Sequence, residues 1–510
     1  MSDHFVLKGG IGTIDAERDI FLEDYFWETQ VFNDLTCFDE DDFSFTKRVI
    51  VGRTGSGKTA LLKKINSLTN MKSVSIEAES MIFEHIKNNV FINSLIENDI
   101  DIRIFYKSLW LHVLLIKVIE LSFPKDNLLK SLQALVFEKN KLATEYVETF
   151  GDNFFNDNII SEITNKMQRE LSATFGGDVA SIKASVGGKQ NAEFTEKIQS
   201  QTSRYVNTEL LTKQKQVIKA LIDGNRDKRR KYIISIDDLD RSWLNENSIR
   251  YDFINALLDA FRELINIKNT KVLISIRTDI LKGVYKNKLR QEEKDVSLIS
   301  HVEWRREEIV DLLDKRISFI IERQYTNKGV NFEDLFGFTV AGKQAKEYIL
   351  ERTMLRPRDA IEFVNICLSK VSGDVARLNY SVVLEAEENF YSSRKSALCS
   401  EWYSLYPNLR TYLDALSVFE NNTINNEVLL NKKEELCEIL LKSENLDDDE
   451  VINKCMASDF NDILNIWFIC GVIGRNKIED IIIYSNHQKM ELDITDFNKN
   501  FRIHPLFFRN

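Results

Sequence analysis

Proline is scarce, with 4 in 510 residues, and glycine at 19 is also well below ordinary usage. That shortage excludes a collagen-like or Pro/Gly-rich disordered chain and leaves few breakers to interrupt helices; with Leu, Ile, Lys, Glu and Asn abundant, the chain is expected to be mostly helical. The six cysteines (Cys37, Cys367, Cys399, Cys437, Cys455, Cys470) include no pair at metal-ligand spacing and follow no secretory leader, so buried, reduced thiols in a cytoplasmic protein are expected. No long apolar run is present: the longest, "SLWLHVLLIKVIELSF" (108 to 123), is broken by His112, Lys117 and Glu120 and is too short to span a bilayer. It reads as a buried helix, and no membrane partner is expected. There is no excess of positive charge either. Lys+Arg 68 against Asp+Glu 79 gives a net charge of −11, which argues against a surface broadly adapted to a polyanion, so any nucleic-acid contact must be a local patch. Histidines are few and scattered (His4, His85, His112, His301, His487, His504), each expected to be structural. No internal repeat or low-complexity linker is found, and the length calls for two to four domains.

What is present is a phosphate-binding pattern in the right surroundings. "GRTGSGKT" (52 to 59) follows a β-branched run, "KRVIV", and precedes "KTALLKKINSL", whose apolar residues repeat at helical spacing. A second strand, "SVSIEA" (73 to 78), comes next, and strand–turn–helix–strand calls for a parallel sheet. Gly52, Gly55 and Gly57 allow the backbone to approach a ligand closely; the intervening Arg53, Thr54 and Ser56 and the following Ala60 supply N–H groups, and the helix starting near Lys58 adds its positive end. Lys58 would place an ammonium on the outer phosphates, and the Thr59 hydroxyl would ligate Mg²⁺.

"KYIISIDDLDRSW" (231 to 243) reads as a fully apolar strand ending in carboxylates. Asp237 suits the metal role and Asp238 the water-orienting base, with Asp240 as the other base candidate or a helix N-cap. "TKVLISIRTD" (270 to 279) is a further buried strand ending in Arg277, which either reaches a terminal phosphate or pairs with Asp237, Asp240 or Asp279. "LRPRD" sets Arg356 and Arg358 at a helix start, with Pro357 in the first turn, and either arginine could report the γ-phosphate to a lid. Arg241, Arg305 and Arg306 are weaker candidates for a neighbouring subunit's site.

The expected architecture is an α/β, parallel-sheet P-loop NTPase core at 47–300 with a helical insertion at 81–230. A lead segment occupies 1–46, a helical lid 301–398, and a C-terminal helical, winged-helix-like domain 399–510. Within these, "DAERDIFLEDYFWETQVF" reads as one packed helix, 175 to 190 as a hairpin or loop, and the runs around "SNHQ" as a hairpin.

In this order "GRTGSGKT", "IDDLDR", "IRTD" and "LRPRD" resemble the KAP and STAND divisions of P-loop ATPases, relatives of the AAA+ class. In particular they look like soluble bacterial ATPases encoded with phage-defence genes; "AERD" and "GVIGRNK…RIHPLF" share the likeness. The resemblance implies an ATP-dependent, oligomerising switch that acts through an effector protein, with Lys58 and Thr59 on phosphate and Mg²⁺. It further implies Asp237 on the metal, Asp238 on water, Arg277 as sensor 1 and Arg358 or Arg356 as sensor 2. Two features depart from the pattern: the insertion is not membrane-spanning, and Asp238 stands where a glutamate is usual. A DNA-binding ATPase is the competing reading, with Arg475, Lys477, Lys489 and "NRDKRRK" (225 to 231) as basic patches, and a scaffold that binds ATP without cleaving it is a third.

Overall fold

The computed structural model describes residues 10–76, 82, 84–123, 125–137, 140–156, 158–176, 189–223, 230–239, 247–288, 292–324, 329–371, 378–443, 449–478 and 481–509. These residues divide into two compact units. One comprises Gln30–Val51 and Leu61–Ser300; the other gathers the N-terminus to Thr29, the stretch Gly52–Ala60, and His301–Asn510.

The first unit is built on a sheet of five strands: β1 (Val49–Gly52), β2 (Met71–Ile76), β3 (Lys231–Ile236), β4 (Thr270–Arg277) and β5 (Ile299–His301), in the order β2-β3-β4-β1-β5. β2 and β3 pair in parallel from Met71↔Lys231 to Ile76↔Ile236, and β3 and β4 pair in parallel from Tyr232↔Thr270 to Ile236↔Ile274. Tyr232–Ile236 and Thr270–Ile276 are buried along their whole length, as expected of strands covered on both faces. The helix Asn247–Arg262 forms the crossover between β3 and β4. It packs on Arg103–Ser122, the apolar run of the sequence, which is a buried helix; the Trp110 ring of that run lies tilted 4.9 Å from that of Phe253 and its N–H donates to the Phe253 carbonyl at 3.2 Å. Among the described residues no helix is long and apolar enough to cross a membrane.

His112 shows how that apolar helix tolerates a polar group. Its Nδ1 lies 2.7 Å from the Tyr146 hydroxyl and its Nε2 lies 3.2 Å from the Phe154 carbonyl. Since that carbonyl can only accept, Nε2 carries the proton and Nδ1 accepts from Tyr146, whose oxygen accepts in turn from Gln214 Nε2 at 2.7 Å. With the imidazole neutral, both of its nitrogens, the Tyr146 hydroxyl and the Gln214 amide nitrogen have partners, while Gln214 Oε1 has none among the described residues.

In the second unit the core is helical. Arg306–Gln324, Pro357–Ser369 and Tyr380–Trp402 pack together, with Phe363 stacked 4.6 Å from Phe390. The N-terminal segment forms two short helices rather than the single one expected, and only the part up to Thr29 belongs to this unit. Leu22–Tyr25 and Gln30–Thr36 are separate helices, and the chain changes unit between Thr29 and Gln30. Buried Asp19 explains the break: it pairs with Arg316 at 3.1 Å and accepts from the Tyr25 hydroxyl, which fixes the short helix against Arg306–Gln324. Two small strands, β6 (Thr339–Val340) and β7 (Lys343–Gln344), form a hairpin.

The C-terminal part adds helices and an antiparallel sheet of β8 (Thr423–Ile424), β9 (Ile473–Ile478), β10 (Ile481–Ile483) and β11 (Phe501–Ile503), ordered β10-β9-β11-β8. Both strands of the expected hairpin precede "SNHQ". That sequence instead closes its own tight turn through an Asn486–Lys489 bridge. The expected hairpin or loop at 175 to 190 lies mostly outside the described residues. All six cysteines are free, though only Cys367, Cys455 and Cys470 are buried.

Burial pushes His112 from its ordinary 6.5 down to about 4, partly offset by the Phe154 carbonyl. An unfolded chain therefore takes up this proton first, so the contribution is fully present above pH 6.5 and is lost as pH falls toward 4. Wild-type protein is expected to lose about 3 kcal/mol of unfolding free energy between pH 7 and pH 4 that His112→Gln does not lose, measured by denaturant titration at each pH.

Candidate functional site

The phosphate loop is carried by β1 but belongs to the second unit. Its backbone follows from its sequence: Gly55 and Gly57 sit at φ +79 and +96, which other residues reach only with strain. Space is as tight as conformation at Gly55, where a Cβ would lie 2.8 Å from Arg358 Cβ. The helix Lys58–Asn66 starts directly after, and Lys58 Nζ folds back onto the Gly52 and Arg53 carbonyls at 2.8 and 3.1 Å. Ser56 N–H closes the turn on Arg53 O at 3.1 Å.

Groups from four distant positions hold the outside of this loop. Arg356 Nη1 donates to Thr54 O at 3.0 Å, Arg358 N–H to Gly55 O at 3.2 Å, and Trp304 Nε1 to Ser56 O at 2.8 Å. Glu401, at the end of the helix Tyr380–Trp402, accepts from Thr54 N–H at 3.1 Å. In a trans peptide the carbonyl of one residue and the N–H of the next point in opposite directions. Holding the Thr54 and Ser56 carbonyls outward therefore turns the Gly55 and Gly57 N–H groups the other way, as an anion cradle requires.

The two arginines of "LRPRD" have different environments. Pro357 opens the helix Pro357–Ser369 and Arg356 stands at its N-cap position without a side-chain capping bond. Leu355, at φ +47, adopts a left-handed backbone unusual for leucine, and the chain then turns Arg356 inward. Its side chain is 7% exposed and pairs with Glu401, itself 1% exposed, at 3.1 Å. Burial works against the Arg356 charge, but Glu401 and Asp359 outweigh it and raise the pKa. Arg358 is half-buried, packs its stem over Gly55, and its guanidinium has no hydrogen-bond or ion-pair partner among the described residues. Arg53 contacts the same carboxylate at 3.6 Å and donates to Cys470 O at 2.7 Å; burial and the neighbouring Arg356 lower its pKa.

In the first unit, Asp237 and Asp238 follow β3, both half-buried. Asp238 has φ +54, a conformation aspartate tolerates better than most residues at a cost of order 1 kcal/mol. Arg277 ends β4 bound to the fully buried Asp279 through two hydrogen bonds, at 2.9 and 2.7 Å. Of the other candidates, Asp240 and Arg241 lie outside the described residues. Arg305 pairs with Glu308 and Arg306 with Glu347.

The loop's donor set suits a magnesium nucleotide. The amide cradle, Lys58 and the Thr59 hydroxyl are the groups a triphosphate and its cation need, and the Ser56 Oγ is buried with no partner among the described residues. Sequence reasoning missed Glu401 and Trp304, which carry no motif. It also separated His301 from His487, which stack at 4.6 Å, with His487 bound to Glu303 at 2.7 Å.

Residues 48–301 match the family described as the KAP family P-loop domain, and residues 307–399 match the FunZ-associated C-terminal helical domain. No curated protein matches the chain. Arg356→Ala, which strips one partner from a buried pair, is expected to cost about 3–5 kcal/mol of stability, and Arg358→Ala less than about 0.5, in denaturant melts of the full chain.

Proposed function

Because the chain belongs, through residues 48–301, to the KAP family of P-loop NTPases, we propose that it binds and hydrolyses ATP and works as a nucleotide-controlled switch. The observation that carries this reading is the phosphate loop itself: glycines in left-handed conformations, outer carbonyls held by bonds, and Lys58 beside them. Lys58 exchanges its bonds to Gly52 O and Arg53 O for the outer phosphates, so its charge is already stationed at the loop before ligand arrives. Thr59 and Asp237 are the residues that would hold a magnesium ion, which would supply neutralisation of charge on the phosphate oxygens. Asp238 orients the attacking water and accepts its proton, aimed by the unusual backbone at the end of β3.

Of the lid arginines, Arg358 takes the phosphate-reporting role, since Arg356 is committed to Glu401 and Thr54 O. Arg277, fixed by Asp279, serves as an orienting sensor at the end of β4. Oligomerisation, action through an effector protein, and a part in anti-phage defence rest on the resemblance to bacterial defence ATPases. The DNA-binding alternative is weakened at two of its residues. Arg475 and Lys489 both bond Asp496, whose carboxyl burial would push up but which Lys489, Arg475 and Lys499 hold well below the usual range.

Asp238→Asn is expected to lower the rate of phosphate release from ATP by about 10²-fold or more while ATP affinity stays within about threefold of wild type. A coupled phosphate assay with a binding titration measures both, and wild-type turnover in the variant would remove Asp238 from the mechanism.

A further inference from the structure

The geometry points to Glu401 as a positioning residue of the phosphate loop, holding it in its anion-binding shape from the end of a helix more than three hundred residues away in sequence. This assignment deepens the nucleotide reading above and rests on it for its consequence, though not for its structural basis.

Glu401 is 1% exposed and meets three parts of the loop's support. One oxygen accepts from the Thr54 N–H at 3.1 Å and lies 3.6 Å from Arg53 Nε; the other accepts from Arg356 Nη1 at 3.1 Å. The same Arg356 nitrogen donates to Thr54 O. Both backbone polar groups of Thr54 are thus held by one buried ion pair, and neither can rotate without breaking a charge-assisted bond. Such a pair is poorly explained as a source of stability, because burying it costs solvation that its attraction scarcely returns. A role in fixing geometry explains it better.

The surroundings support that role. Two guanidiniums share this one carboxylate beside a loop that must accept phosphates. Asp359, fully buried, is bound to Arg394 at 2.8 Å, so it does not compete for Arg356 through a hydrogen bond. The left-handed Leu355 shows that the chain accepts strain to deliver Arg356 there. Arg53 extends the arrangement to Cys470 O, at the end of the helix Asn461–Ile469. Loop geometry and the C-terminal part of the chain therefore share one carboxylate.

Removing the charge separates this account from two others. If Glu401 acted only as a nearby negative charge, neutralising it would tighten anion binding; if it only stabilised the fold, melting would change but not the loop. The test uses the full-length chain and Glu401→Gln, with amide hydrogen exchange of peptides covering residues 50–60 in nucleotide-free protein and a titration with Mg·ATP. We expect exchange in those peptides to rise at least about tenfold with the rest of the chain unchanged, and the Kd for ATP to rise about tenfold, with kcat at saturation little altered. Wild-type exchange at 50–60, or tighter ATP binding, overturns the assignment. Should Glu401→Gln not fold, Glu401→Asp keeps the charge but shortens its reach, and the same rise in exchange is required of it. If wild-type protein binds no ATP, the proposed function fails, while exchange at 50–60 still decides the role of Glu401.

Discussion

A single carboxylate, that of Glu401, lies out of solvent between Arg53 and Arg356 and accepts the N–H of Thr54. Much of what the chain does with a nucleotide depends on it. The glycines of the loop give the backbone freedom to form a cradle, but freedom alone does not select one conformation. Selection comes from outside the loop, where Arg356, Arg358 and Trp304 hold three successive carbonyls and Glu401 holds the Thr54 amide. The loop therefore groups with the helical unit even though β1 carries it. That gives a physical reason for a switch: anything that loosens the helical unit's hold on Thr54, Gly55 and Ser56 also loosens the phosphate site, and by linkage phosphate binding tightens that hold.

The helical unit is well suited to transmit such a change. The helix Tyr380–Trp402 carries Glu401 at its end and packs on Pro357–Ser369, which carries Arg358 at its start. Further down the same helices, Arg394 bonds Asp359 and Glu362. These ion pairs are directional and buried, so the two helices shift together or exchange partners, rather than sliding freely. Burial, together with Arg352, Arg53 and Arg356 nearby, pushes His504 down to about 3, which keeps the imidazole neutral at physiological pH. The proton on that residue is thus removed as a variable while nucleotide is exchanged.

Much of the core was legible in the sequence because its elements announce themselves locally. "YIISI" and "VLISI" are mostly apolar and rich in β-branched residues, with one serine each, and they form β3 and β4 in parallel register. The glycine spacing and the Lys-Thr pair marked the loop without any tertiary information. Where a residue's role depends on what lies opposite, the sequence was silent. Arg356 and Arg358 look equivalent in "LRPRD", and only packing separates a buried clamp from an arginine whose guanidinium has no partner among the described residues. Glu401 and Trp304 act as single residues without pattern, and the left-handed turn at Asp238 is invisible in a row of carboxylates. The break after Tyr25 was hidden because helical periodicity continues through it, while Asp19 and Arg316 fix the true geometry. β11 has only three residues, too few for its alternation to stand out.

Calorimetric titration of Mg·ATP into wild-type protein and into Lys58→Ala tests the central claim most directly, since Lys58 is the loop cation that lies outside the Glu401 cluster, to which Arg53 belongs. The account predicts micromolar binding to wild type and at least about tenfold weaker binding to the variant. No binding to wild type, or equal affinity for both proteins, would contradict it.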